Sequence, residues 1–201
     1  RLKGYEIPEG SRQARGVNII NLLQLQPDEK ITNVIPTEEG FEGNVVMVTQ
    51  KGIIKRTPVE EYKNVRKSGL IAITLDEGDD LAWTRVTSGK DELIVATKNG
   101  QAIKFSEEDV RLVGRSARGV KAIELADDDI VVGMGIAKEG TKLLTITEDG
   151  KGRRTDVSEY RLQTRGGKGV RNFDVEKAGY VAGVRIVNDD DDIILISMSG
   201  I

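Results

Sequence analysis

Gln163-Thr164-Arg165-Gly166-Gly167-Lys168-Gly169 sets two cations around a glycine pair and adds a third glycine. Glycine lets backbone N–H groups come close to a ligand, and Arg and Lys supply charge, so a phosphate backbone is the natural partner. Weaker forms of the element recur at Arg12-Gln13-Ala14-Arg15-Gly16, Arg66-Lys67-Ser68-Gly69 and Arg115-Ser116-Ala117-Arg118-Gly119. A second basic site stands on a strand in three units, as Lys55-Arg56, Lys104 and Arg153-Arg154. A single copy reads as a solvated basic turn; four copies in phase point to a binding element offered repeatedly. The Gly167-Lys168 step is not a P-loop, which needs Ser or Thr where Gly169 stands here.

Other chemistry is poorly supported. The chain has no Cys and no His, which removes disulfides, thiolate metal sites, the commonest general base and any Ser-His or Cys-His nucleophile. Asp76-Glu77-Gly78-Asp79-Asp80, Asp127-Asp128-Asp129 and Asp189-Asp190-Asp191-Asp192 lack the ligand spacing of an EF-hand and read as solvated turns. Tyr62 and Tyr160 hold equivalent repeat positions and read as packing residues, and Trp83 as core or interface.

The elements that must carry these loops repeat. Turn glycines fall at Gly52, Gly100, Gly150 and Gly200, spaced 48, 50 and 50 residues, and the glycines after each basic cluster at Gly16, Gly69, Gly119 and Gly169, spaced 53, 50 and 50. Within one unit the alternation predicts strands over Gln101 to Phe105, Gly119 to Leu125, Ile130 to Ala137 and Leu143 to Thr147. Equivalent strands are expected over Gly52 to Thr57, Leu70 to Leu75, Leu81 to Val86 and Leu93 to Thr97, then Gly150 to Thr155, Gly169 to Val175, Tyr180 to Val187 and Ile193 to Ser197. Short strands joined by hairpins at this period describe a propeller-like disc of four-stranded blades. The expected architecture is one all-β domain over residues 1–201, with units near 1–51, 52–99, 100–149 and 150–201. Both ends read as lying inside a repeat, as in a piece of a longer protein.

Composition fits this. Apolar residues are 38% and aromatics 4%, lean for a core but suited to many short Val/Ile/Leu strands. No run nears the roughly 18 apolar residues of a membrane span. The net charge of −3 hides a segregation. Stretches 51–69, 100–119 and 150–169 hold 16 Lys/Arg against 7 Asp/Glu, whereas 70–99, 120–149 and 170–199 hold 9 against 19. Stacked in register, such units place opposite charges on different faces.

Taken together, Lys55-Arg56-Thr57 through Glu61-Tyr62, Arg153-Arg154-Thr155 through Glu159-Tyr160, Gly119-Val120-Lys121-Ala122-Ile123 and Gln163 to Gly169 resemble the C-terminal domain of the DNA gyrase A subunit. The opening, Tyr5-Glu6-Ile7-Pro8-Glu9 to Arg15-Gly16 and Ile20-Asn21-Leu22-Leu23, is similar to the same family, so the resemblance covers the whole chain. It implies a β-pinwheel, a disc whose blades exchange strands and wrap double-stranded DNA on a basic outer rim. It implies phosphate contacts from Arg12, Arg15, Lys55, Arg56, Arg66, Lys67, Lys104, Arg115, Arg118, Arg153, Arg154, Arg165 and Lys168, with Gln163, Gly166, Gly167 and Gly169 completing the box. The family's whole enzyme is a bacterial, cytoplasmic, nucleoid-associated, ATP-dependent type IIA topoisomerase that introduces negative supercoils, with two A and two B subunits. Its breakage-reunion tyrosine, ATP and Mg2+ belong to other regions, so no catalytic residue, metal or cofactor is expected in this chain.

The family box reads Gln-Arg-Arg-Gly-Gly-Lys-Gly and usually sits in the first blade. Here Thr164 replaces the first Arg and the copy stands in a later unit, so the principal box is expected upstream and this piece is expected to bend DNA less well than a full domain. Alternatives are the related C-terminal domain of the A-type chain of topoisomerase IV, and a propeller used as a protein-interaction platform, which the acidic stretches would suit. A hydrolase propeller is disfavoured by the missing histidine.

Overall fold

A computed structural model describes residues 2–18, 21–23, 25, 29–37, 40–65 and 68–196. Eleven strands are present among them: β1 (Asn44–Thr49), β2 (Ile53–Pro58), β3 (Leu81–Thr87), β4 (Glu92–Thr97), β5 (Gln101–Ser106), β6 (Val120–Lys121), β7 (Val131–Ile136), β8 (Lys142–Thr147), β9 (Gly152–Asp156), β10 (Val170–Arg171) and β11 (Val181–Val187). A single α-helical turn, α1, spans Val175–Ala178. The described part of 2–43 holds no strand, and a 3-10 turn stands at Gly4–Glu6.

Each blade is built on a hairpin. β1–β2, β4–β5 and β8–β9 pair antiparallel, and Gly52, Gly100 and Gly150 close their turns by donating N–H to Thr49, Thr97 and Thr147 carbonyls at 3.0–3.1 Å. The turn glycine therefore lies mid-hairpin, and the unit boundaries drawn at these glycines cut each blade between its first two strands. The following long strand, β3, β7 or β11, pairs on the hairpin's other side.

The fourth place is filled from the next unit. The first sheet runs β3-β1-β2-β6 and the second β10-β5-β4-β7, with Ile53 opposite Lys121 and Ala102 opposite Val170. This is strand exchange: each blade lends a short strand to the outer edge of the one before. In the third sheet, β11-β8-β9, the edge of β9 is uncovered among the described residues, and β9 is largely exposed where β2 is buried. The same logic explains 70–75, expected as a strand but irregular. Its phase is that of β6 and β10, and no earlier hairpin stands beside it among the described residues. Exchange also shortens the strands expected over 119–125 and 169–175 to two residues each. The expected strand at 193–197 is irregular over 193–196, and Ser197 lies outside the described residues.

The core lies between stacked blades. Alternation on β4 sends Leu93 and Val95 into one cluster with Val46, Ile54, Phe105 and Val131, and Ile94 and Ala96 into another with Leu143, Val157 and Tyr160. A strand buried on both faces reads as a continuous apolar run, as Leu93-Ile94-Val95-Ala96 does. Ile94 is 1% exposed, and truncating it to Ala costs about 2–5 kcal/mol. The acidic turns are structural. Asp79 accepts from Lys51 N–H and Asp129 from Asn99 N–H, both at 2.9 Å, so each ties its loop to a hairpin turn. Among the described residues no group of three or more acidic side chains could hold a metal ion.

Candidate nucleic-acid interface

The cationic elements are crossover loops on the rim. After β5 and β9 the chain makes a 3-10 turn, Glu107–Asp109 or Val157–Glu159. Ser106 Oγ caps the first by accepting from Glu108 N–H at 3.2 Å, and Asp156 Oδ1 caps the second from Ser158 N–H at 2.8 Å. The hydrogen bonding from Ser158 holds the Asp156 carboxyl below its ordinary range. The loops then cross to the previous blade. Val113 N–H donates to Arg56 O at 3.0 Å and Gln163 N–H to Lys104 O at 2.8 Å; Ala122 and Asn172 N–H reach Gly52 and Gly100 carbonyls, each at 2.8 Å.

The recurrent glycine serves this docking. At Gly169, φ is +75° and an added Cβ would stand 2.3 Å from Ala102 O; at Gly119, φ is +104° with Ile54 O at 2.5 Å. A left-handed backbone pressed on a neighbouring strand admits only glycine. The close approach expected toward a ligand is, at these two positions, an approach to the preceding blade. Gly166 N–H donates to Ala122 O at 2.6 Å and Gly167 O accepts from Glu124 N–H at 2.9 Å, so the glycine pair also faces the protein.

Three expected contact residues point inward. Lys55 is 0% exposed, and its ammonium donates to Ala72, Gly114 and Arg115 carbonyls. Burial, reinforced by Arg115 and opposed by Glu61, brings its pKa down to about 8. Arg56 donates through Nε to Val110 O at 2.7 Å and lies 3.6 Å from the buried Glu107 carboxylate. Lys104 donates to Val157 O at 3.1 Å and pairs with Glu92 at 3.3 Å. The rim loop of the following unit covers all three, so they hold loops in place and are withdrawn from the contact set. Arg154, the repeat equivalent of Arg56 and Lys104, is exposed on the uncovered β9 and pairs with Asp189 at 3.2 Å. Arg153 is exposed too, with its guanidinium on Asn172 O and 5.1 Å from the Phe173 ring centroid.

Arg12 and Arg15 are exposed, and Arg66 and Lys67 lie outside the described residues. The loops 110–121 and 160–171 contain no acidic residue and four cations each. In the first, Arg115 lies 3.7 Å from Glu61, and Arg118 grips Asp76. The second is less neutralised. Arg165 donates to two carbonyls, Asp109 O at 2.9 Å and Lys121 O at 3.0 Å, and has no carboxylate partner among the described residues. Among the described residues Arg161, Lys168 and Arg171 have no carboxylate partner, and all three are exposed. Arg161 and Arg171, with their equivalents Arg111 and Lys121, are rim cations that the motif alone does not mark. The 50-residue spacing is their signal, hidden because none adjoins a glycine.

These features define a strand-exchanging β-propeller, a β-pinwheel, with basic loops on its rim. A family model described as DNA gyrase C-terminal domain, beta-propeller, matches residues 1–38, 43–88, 91–138 and 141–188, and the chain belongs to that family. It is 55% identical over 122 residues, 60% of its length, to the DNA gyrase A subunit of Clostridium acetobutylicum, and 53% identical over 124 residues, 61% of its length, to that of Halalkalibacterium halodurans. It spans 15% of the length of each of these relatives. A solved DNA gyrase A C-terminal domain superposes with TM-score 0.81 at 28% identity, covering 97% of this chain and 64% of the other. The C-terminal domain of a DNA topoisomerase IV, at TM-score 0.58, 24% identity and 88% against 72% coverage, shares the fold.

Proposed function

We propose that this domain binds duplex DNA along its rim without reading sequence, bends it, and serves as the wrapping module of a DNA gyrase A subunit. In that setting it works in the bacterial cytoplasm on nucleoid DNA, beside gyrase B subunits and a second copy of its own subunit. Strand passage and ATP hydrolysis, with their Mg2+, take place in other regions of that enzyme. The observation that carries this reading is the pair of acid-free loops, 110–121 and 160–171, set one blade apart on the same edge. The contact set is Arg111, Arg115, Arg118, Lys121, Arg161, Arg165, Lys168 and Arg171, joined by the exposed Arg12, Arg15, Arg153 and Arg154.

Such contacts fix a duplex in place by its phosphates and carry no base information, so preference among sequences comes from deformability. Affinity falls with salt by about 0.9 log units per log unit for each phosphate neutralised. A salt titration on two duplexes of unrelated sequence tests the reading. Parallel, steep lines support it; a flat response contradicts it.

A further inference from the structure

The inner strands carry a second cationic site, unrelated to the rim. β7 packs against both β3 and β11. Arg85 on β3, Gly135 on β7 and Arg185 on β11 occupy the same repeat phase, 50 residues apart. Where its neighbours carry arginine, β7 has no side chain, and it needs none: a Cβ on Gly135 would stand 2.5 Å from Ile186 Cγ1. The close approach of β11 leaves a cavity of about 320 Å³ that Arg85, Lys138, Arg185 and Asn188 line on the polar side and Met134 and Val184 on the apolar side. Arg85 is half-buried, and its NH1 donates to Thr84 O at 2.8 Å. Burial, and then the Arg185 charge, lower its proton affinity. Among the described residues no carboxylate lies within ion-pair distance of Arg85, Lys138 or Arg185, whereas Arg115, Arg118 and Arg154 each have one.

We propose that this cavity between the inner strands binds a small phosphate-bearing anion. Converging like charges disfavour each other unless an anion sits among them. Two guanidinium forks match the oxygens of a phosphate, and the ammonium adds a third donor group. The volume exceeds that of a lone phosphate, and the apolar wall suits an organic body. Inorganic pyrophosphate and a mononucleotide share the recognised chemistry. The site is independent of DNA binding, because Arg85 and Arg185 lie on inner strands and Lys138 just after one, whereas the rim loops lie on outer edges.

Thermal shift and calorimetric titration with pyrophosphate and with AMP, at ionic strength held constant with NaCl, test this on the chain as it stands. The expected result is saturable binding and a raised Tm for at least one of the two. Affinity should be weakened about tenfold in Arg185→Gln, through removal of one charge-assisted hydrogen bond, and unchanged in the rim variant Lys168→Ala. Binding of pyrophosphate alone assigns an inorganic polyphosphate, and binding of AMP assigns a nucleotide. No saturable binding by either, or equal binding by wild type and Arg185→Gln, overturns the proposal. Arg85→Gln serves as the second variant, and its Tm without ligand shows whether the fold is kept.

Discussion

The Arg118 guanidinium lies on the Asp76 carboxylate through both Nε and NH2, with Nε 2.5 Å from Oδ1. Its repeat equivalent, Lys168, has no such partner among the described residues. One rim loop is thus partly neutralised by the blade before it, and the next is open. The pair also holds the Asp76 carboxyl below its ordinary range, first through the hydrogen bond from Arg118. Its contribution is in place above the unfolded carboxyl's pKa and is lost as pH falls through the lower folded value.

Releasing Arg118 should strengthen DNA binding. Asp76→Asn is expected to raise duplex affinity at low salt by no more than about fivefold, the range of an exposed ion pair, with the gain fading as salt rises. Fluorescence anisotropy at two salt concentrations checks it.

Removing the open cations should do the reverse. With Arg161, Lys168 and Arg171 all changed to Ala, the log–log salt slope should become shallower by roughly 0.9 for each phosphate no longer neutralised. The weakening should be alike on unrelated sequences. Lys104→Met, by contrast, should disturb stability and leave the slope unchanged.

Lys55 sets a pH dependence. Its pKa is about 8 in the folded protein against 10.5 ordinarily. Between these values the unfolded chain holds more protons, so this residue's contribution to stability rises with pH. Urea unfolding of wild type and Lys55→Met, at neutral pH and again between about 8 and 10.5, should show the difference moving in favour of the wild type at the higher pH.

Two of the three box glycines, Gly167 and Gly169, should part company. Gly169→Ala forces a left-handed backbone and a collision with Ala102 O, and should cost about 1–3 kcal/mol or more while loosening β10 from β5. At Gly167 the nearest atom to an added Cβ is Ile103 Cδ1 at 3.8 Å, so Gly167→Ala should fold normally. Thermal unfolding of the two variants decides it.

The period, the hairpins and the long strands were legible because each rests on local chemistry: a turn glycine, alternation, an apolar run such as Leu93 to Ala96. The unit boundaries were not, since Gly52 marks the middle of a blade as readily as its edge. Strand exchange is non-local, and nothing in Gly119 to Leu125 states that its partner is Ile53 rather than a strand of its own unit. For the same reason Lys55 read as a surface cation. Its burial depends on a loop that arrives some 60 residues later, which brings Gly114 and Arg115 carbonyls to its ammonium. Arg165 and Lys168 were legible as rim residues through their motif, and Arg161 and Arg171 only through the repeat.

In the proposed complex one duplex follows successive rim loops around the disc. End-to-end energy transfer on a doubly labelled duplex, shorter than the persistence length of about 150 bp, measures this directly. Transfer should rise on binding and fall back in the Arg161, Lys168 and Arg171 triple variant at protein concentrations that still saturate the DNA. Binding with no change in transfer, or bending that the triple variant retains in full, would contradict it.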